Sequence, residues 1–243
     1  MQECAGTFRE LMLKKCVHLT RMQRGYLCLK RLIDIAASFC GLLLLWPLFL
    51  LIALVIKAED PTGSVFYIQN RIGRNGVPFK LFKFRSMRSG TPELSTHEFT
   101  DAQSYVTRAG RILRKTSLDE LPQLWNVLIG DMSLIGPRPL LPREREVHML
   151  RFCYGLYQVR PGITGLAQTH GRDAMDDCDK VRWDRTYVQK LSIWMDAALL
   201  WRTFIKVVIH EGVADCAKAS SENQKIEVTG VVMSAAASHK EEN

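Results

Sequence analysis

The chain lacks the short signatures of the commonest enzyme chemistries. It has no Walker loop, no Gly-x-Gly-x-x-Gly, no His-Glu-x-x-His and no Gly-x-Ser-x-Gly. It has no Cys-x-x-Cys pair either, and its seven cysteines are an odd number. Cys4, Cys16, Cys28 and Cys40 recur every twelve residues. On a helix that step turns each cysteine by roughly a third of a turn from the last, so they do not converge on one face. The pattern speaks against a metal cluster or disulfide framework and for reduced thiols facing a cytoplasm. Acidic residues are also short, 25 Asp and Glu against 33 Lys and Arg, for a net charge of +8. Such a balance suits polyanions: nucleic acid, an anionic membrane face or phosphorylated substrates. No nucleic-acid motif accompanies the charge. At 243 residues, 47% of them hydrophobic, the chain is long enough for one domain with a real core plus appendages.

One stretch stands out. Residues 32–56 read LIDIAASFCGLLLLWPLFLLIALVI, with Asp34 as the single charge. The run is too long for a signal-peptide core and starts too late for one, so a membrane segment is expected. Pro47 interrupts it. A proline inside a helix removes a hydrogen bond and clashes with the preceding turn. The two arms, of about 22 and 15 Å, each fall short of a hydrocarbon core of about 30 Å. Basic residues flank both ends: Arg21, Arg24, Lys30 and Arg31 before, Lys57, Arg71 and Arg74 after. A helix-break-helix that enters and leaves by one face keeps both clusters inside; a kinked spanning helix is the alternative. Asp34 is expected to pair with Lys30 or Arg31.

Residues 1–29 are basic and mildly amphipathic, either a helix lying on anionic lipid or a loose leader. Residues 64–88 predict a β-hairpin about Asn75-Gly76, with Lys83 and Arg85 on one strand face, where they would hold a phosphate or meet solvent. Residues 89–105 read as a loop. Arg108, Arg111 and Arg114 line one face of a short helix, facing either phosphate or the lipid surface. Residues 183–210 form an amphipathic pattern, with Ile193, Ala197, Leu200, Trp201, Phe204 and Val208 at helical spacing. Core packing is the ordinary reading of that stripe, although Trp194 and Trp201 also suit an interfacial belt. From Ala214 onward, Ala, Ser, Lys and Glu predict a disordered tail.

The chemistry concentrates in residues 113–142, LRKTSLDELPQLWNVLIGDMSLIGPRPLLP. A capping box with Ser117 as cap and Glu120 as its partner is one reading. Pro122 disfavours that register. With Asp119 as the cap, Pro122 falls in the first turn, where it is tolerated. Two adjacent carboxylates then sit at a helix start, where free N–H groups hold anions ionised. They can serve as nucleophile or as Mg²⁺ ligands. Arg138 lies between Pro137 and Pro139, a stiff presentation suited to bidentate phosphate binding. Arg160 recurs in RPGITG and Arg172 in Gly171-Arg172-Asp173. With Lys83, Arg85 and Arg114, these arginines suggest a cage for a pyrophosphate.

These motifs, together with Lys30-Arg31-Leu32-Ile33-Asp34, Lys83-Phe84-Arg85-Ser86-Met87 and RPGITGLAQ, resemble the bacterial sugar transferase family of small monotopic polyprenyl-phosphate phosphoglycosyl transferases. The likeness runs from residue 30 to about 212. It implies an α/β fold, mostly α with a small β-hairpin: a re-entrant membrane helix at 30–57, a compact cytoplasmic catalytic domain at 58–212 with amphipathic interfacial helices, and appendages at 1–29 and 213–243. It implies a Mg²⁺-dependent, two-step reaction at the cytoplasmic face of the bacterial inner membrane. The aspartate matching Asp119 attacks the phosphate next to the sugar of a UDP-sugar and expels UMP. The phospho-sugar then passes to undecaprenyl phosphate, the first membrane step of glycoconjugate synthesis, with downstream glycosyltransferases as further partners. Glu120 would assist with metal or proton handling, and Arg114 and Arg138 would hold phosphate. The chain departs from the family pattern at Trp46, where many members have Ser before the proline, and at Asp173, where many have Asn. Nothing suggests the extra amino-terminal transmembrane domain of the long members. Two other readings remain: a glycosyltransferase releasing UDP, and an inactive membrane-anchored scaffold.

Overall fold

The computed structural model describes residues 16–91, 105–170 and 176–209. Expectations for residues 1–15, for most of the loop at 89–105, for Arg172 and Asp173 and for the tail lie outside the described residues.

The chain enters through its core. Val17 and Leu19 are buried, and Val17 N donates to Tyr154 O at 2.9 Å. Leu19 therefore belongs to the domain core and not to a surface leader. Thr20 then starts the first helix, α1 (Arg21–Glu59), with a capping box. Its hydroxyl accepts from Gln23 N at 3.2 Å, and Gln23 Oε1 accepts from Thr20 N at 2.9 Å. The helix thus begins before residue 30 and absorbs the end of the expected leader. It continues through Pro47 as one 39-residue element, so the two separate arms expected from the sequence are a single helix here. One missing N–H removes one hydrogen bond, and the apolar turns on both sides remain helical. This is the one helix among the described residues long and apolar enough to cross a membrane, and only 11% of its most apolar stretch is buried. Phe39, Leu43, Leu44, Trp46, Leu51 and Leu54 are exposed on it. A core helix of a soluble domain would hide such side chains.

The hairpin forms as its sequence predicts. β1 (Phe66–Ile72) pairs antiparallel with β2 (Pro78–Phe84), from Phe66↔Phe84 to Ile72↔Pro78. The connection is a single 3-10 turn at Arg74–Gly76, in which Asn75 and Gly76 have φ of 59° and 76°. Those are the left-handed angles Asn and Gly tolerate best. After α2 (Arg108–Thr116) and α3 (Gln123–Ile129) comes a second, parallel pair that the sequence reading missed. β3 (Ser133–Ile135) pairs with β4 (Gly162–Thr164) in the register Ser133↔Gly162 and Ile135↔Thr164. The remaining helices are α4 (Arg145–Cys153), α5 (Leu166–His170), α6 (Asp177–Gln189) and α7 (Ile193–Ile209).

The pattern at residues 183–210 is thus two helices rather than one, with the break at residues 190–192. Its stripe also faces the other way. Ile193, Leu200, Trp201 (64% exposed) and Phe204 look outward with Trp194 (81% exposed), while Asp196 and Leu199 are buried. The main core instead gathers Tyr154, Val181, Tyr187, Val188, Leu150 and Leu199. Asp196 receives Lys30 Nζ, the Tyr26 hydroxyl at 2.6 Å and the Tyr187 hydroxyl at 2.9 Å. Lys30 therefore pairs with α7 and not with Asp34. Asp34 accepts from Leu134 N, within β3, at 3.1 Å. Arg31 donates to Val127 O and Leu128 O, the open carbonyl end of α3. These bonds fix the amino-terminal half of α1 to the folded domain.

Candidate active site

α2 is capped by Thr107, whose hydroxyl accepts from Gly110 N at 2.9 Å. Its last turn carries Arg114 and ends at Ser117, which takes the left-handed conformation (φ 57°, ψ 18°). A 3-10 turn, Leu118–Glu120, follows, and α3 starts only at Gln123. The helix start expected at Asp119 is therefore absent. Pro122 is the residue before α3, no side chain caps it, and Asp119 lies inside the preceding turn. The left-handed Ser117 shifts the register. Leu118 and Leu121 anchor the turn against Phe84, Leu113 and, from α1, Ile52 and Ile56.

Asp119 is 8% exposed. Burial pushes its pKa up, the nearby Lys83 and Arg114 cations pull it down, and the Glu120 carboxylate raises it again. The net direction is upward, so the expectation of a carboxylate held ionised by a helix start does not describe this site. Lys83 Nζ forms an ion pair with Glu120 Oε1 at 2.7 Å. Lys83 is delivered by β2, which α3 clamps: the buried Asn126 donates to Lys80 O at 2.7 Å and accepts from Phe82 N at 3.0 Å.

Arg138 reaches the same place from a rigid turn. Gly136 N donates to Thr164 O at 2.8 Å, and Gly162 N donates to Pro137 O at 2.9 Å. A Cβ on Gly162 would lie 2.0 Å from Gly136 N, and one on Gly136 would lie 2.4 Å from Arg160 O, so the two segments meet only because both are glycine there. From the other side, Arg151 Nη1 donates to Arg138 O at 2.7 Å, and Arg151 is ion-paired to the buried Asp184. Burial raises the Asp184 pKa, opposed by Arg151. Arg71, Lys83, Glu120, Gln123, Arg138 and Gln168 line one cleft.

Lys83, Glu120 and Arg138 thus share one cleft, and Asp119 lies within electrostatic reach of Lys83, Glu120 and Arg114. Arg85 and Arg160 do not join them. Arg85 Nη1 donates to Ser89 Oγ at 2.9 Å, and Ser89 is tied to Asp60 at the end of α1. Arg160 Nε donates to Gly130 O at 2.8 Å, in a different cleft with Lys30, Asp34 and Arg74. Its pKa is lowered by burial, then by Arg31 and Arg74. Arg172 lies outside the described residues. The sequence reading missed Gln123, Gln168 and, above all, Arg71, which it took only as a membrane flank. Nothing local marks Arg71, because a contact with residues 139 and 140 places it.

Among the described residues no group of three or more His, Cys, Asp or Glu gathers as a metal site. The adjacent Asp119 and Glu120 still fit Mg²⁺, which is commonly held by one or two carboxylates and completed by substrate phosphates and water.

The family model for bacterial sugar transferases matches residues 25–210. Over 183 residues the chain is 42% identical to a UDP-glucose:undecaprenyl-phosphate glucose-1-phosphate transferase of Caulobacter vibrioides, covering 72% of this chain and 67% of that protein. It is 40% identical over 206 residues to a UDP-N-acetylgalactosamine-undecaprenyl-phosphate N-acetylgalactosaminephosphotransferase of Aeromonas hydrophila, covering 78% of this chain. It spans about half, 47%, of that protein's length. It is 39% identical over 198 residues to the exopolysaccharide production protein ExoY of Rhizobium meliloti, covering 75% of this chain and 87% of that protein.

Proposed function

Because the chain belongs to the bacterial sugar transferase family, we propose that it transfers a phospho-sugar from a UDP-sugar to undecaprenyl phosphate and releases UMP. The observation that carries this reading is the cleft itself. It gathers Lys83, Glu120 and Arg138, and the buried carboxylate of Asp119, next to Glu120 in the chain, is within electrostatic reach of Lys83 and Arg114. A nucleophile facing cations is what displacement at the phosphoanhydride of a nucleotide sugar requires.

In the first step an Asp119 oxygen attacks the phosphorus bonded to the sugar. The bond to the bridging oxygen breaks, and UMP leaves with that oxygen. In the second step a phosphate oxygen of the acceptor attacks the same phosphorus and frees the Asp119 carboxylate. Arg138 neutralises phosphate charge in both steps, and Lys83 holds Glu120 beside the reacting carboxylate. Mg²⁺ held by Asp119 or Glu120 would neutralise further charge on the diphosphate.

The same reading places the domain on the cytoplasmic face of the inner membrane, with α1 dipping in and not crossing. Its support is that the domain grips the apolar helix at both ends. Arg31 and Asp34 bind α3 and the start of β3, and Glu59 accepts from Ala109 N at the start of α2.

The test is UMP release from a panel of UDP-sugars by the purified full chain with Mg²⁺ and undecaprenyl phosphate. Without acceptor, the wild type should release about one equivalent of UMP per site and carry a phospho-sugar on the peptide containing Asp119. Asp119→Asn should fold and lose at least about 1,000-fold in rate. Wild-type turnover in Asp119→Asn, an adduct on another residue, or UDP in place of UMP would sink the mechanism.

A further inference from the structure

Arg71 sits next to the end of β1, where the hairpin touches the proline-flanked turn. Ile72 N donates to Leu140 O at 3.0 Å, and this bridge brings Arg71 beside Arg138 in one cleft. Neutral groups hold the Arg71 side chain. Nε and Nη2 donate to Gln69 Oε1 at 3.0 and 2.7 Å, and Nη1 donates to Pro139 O at 2.9 Å. A guanidinium has about five N–H donors, so about two stay unused once these three bonds are made.

No carboxylate forms an ion pair with Arg71 or Arg138 among the described residues, and the side chain of Arg138 has no hydrogen bond there. The two cations oppose each other. Burial first, and Arg138 next, push the Arg71 pKa down to about 10, with Glu144, Tyr67 and Glu120 offsetting part of this. The structural arginines of the molecule look different. Arg31 sits on the carbonyl end of α3, where the helix carries partial negative charge, and Arg151 has Asp184. Arg71 is bonded only to neutral acceptors. A mostly desolvated cation next to a second cation is costly unless an anion comes between them.

We propose that Arg71 is a phosphate ligand: its free N–H donors, held in place by Gln69 and Pro139, share with Arg138 the diphosphate of the nucleotide sugar. The identity of that diphosphate rests on the phospho-sugar transfer reading; the anion site does not. Arg71 is fixed before the substrate arrives, so little entropy is lost on binding. Lysine at this position keeps the charge but cannot be clamped on one edge and bind on the other.

Two measurements on the full chain separate the claims. The first is calorimetric binding of inorganic pyrophosphate, which needs no turnover. The second is the KM for the UDP-sugar, followed by UMP release. Arg71→Lys should weaken pyrophosphate binding about tenfold and raise KM by a similar factor, with a smaller change in kcat and an unchanged Tm. Gln69→Leu, which leaves Arg71 bonded to Pro139 O alone, should produce a smaller loss in the same direction. Should Arg71→Gln fail to fold, Arg71→Lys decides the matter. A folded Arg71→Lys with wild-type pyrophosphate affinity and KM overturns the proposal. Arg71-dependent pyrophosphate binding without UMP from any UDP-sugar would instead remove the transferase reading and leave the anion site standing.

Discussion

Burial and nearby cations act on Asp119 in opposite directions. The turn around it is packed against α1, which hides the carboxylate and raises its pKa, while Lys83 and Arg114 restore only part of the lost solvation. For a carboxyl whose folded pKa lies above its unfolded value, the contribution to stability is fully present below the unfolded pKa. It is lost as pH rises through the folded pKa. Wherever it is ionised, Asp119 is therefore a cost to the fold. Asp119→Asn should have a Tm at pH 7.5 equal to or above that of the wild type, and the difference should shrink on acidification below the ordinary carboxylate range. A clear loss of Tm at pH 7.5 would show that the charge stabilises the fold. The same shift predicts an acid limb in kcat/KM above the usual aspartate pKa, because the nucleophile must be ionised. A flat profile down to that usual value would refute it.

At the scale of elements, the turn bearing Arg138 depends on a buried ion pair. Arg151 of α4 bonds the Arg138 carbonyl and is neutralised by Asp184 of α6. Arg151→Met should cost about 3–5 kcal/mol, because Asp184 is left charged and unpaired. The double variant Arg151→Met with Asp184→Leu should recover most of that stability, since an apolar pair of similar volume commonly replaces a buried ion pair without loss. It should nevertheless stay impaired in kcat/KM, because nothing then holds the Arg138 carbonyl. Full activity in a stable double variant would make the pair purely structural. Neither residue was legible as important in the sequence, where each is one charge among many. The hairpin was legible, because Asn75 and Gly76 supply the left-handed angles that its turn needs. The parallel pair β3 and β4 was not: three-residue strands show no alternation, and the contact between Gly136 and Gly162 appears only in the fold. On α7 the core-packing reading of the stripe fails, while Trp194 and Trp201, also read as suiting an interfacial belt, are exposed; periodicity reports two unlike faces and does not say which one meets protein. The Asp-Glu pair was expected at a helix start and lies in a 3-10 turn instead, because Ser117 takes a left-handed conformation that is uncommon for serine.

For the whole molecule, the decisive relation is between the apolar helix and the domain that holds it. Residues 32–56 at about 1.5 Å each are long enough to cross a hydrocarbon core of about 30 Å, and their exposed Leu, Phe and Trp side chains suit lipid. Yet one folded domain is bonded to both ends. At the start, Arg31 reaches the carbonyls of Val127 and Leu128, and Asp34 receives Leu134 N. At the far end, Ile52 and Ile56 pack with Phe84 and Leu113, and both Glu59 oxygens accept from Ala109 N at 3.0 and 3.1 Å. A crossing helix would put these two joints on opposite faces of the bilayer. The polar domain would then have to pass through the lipid, where its unpaired backbone groups are costly. The segment should therefore enter and leave by one face. Cysteines placed at Gly25 and Ser64, with the exposed native cysteines Cys16, Cys28, Cys40 and Cys153 and the remaining Cys4 and Cys216 replaced by serine, should both resist an impermeant maleimide in intact cells. Both should react after permeabilisation. Labelling of either one in intact cells would place that end in the periplasm and overturn the one-face arrangement. Pro47→Ala sharpens the comparison. It restores the missing N–H and strengthens the helix through its middle, so any tendency to span should grow, and label at one end should then appear without permeabilisation. If both ends stay protected in that variant too, the joints to the domain, and not the proline, keep the helix from crossing.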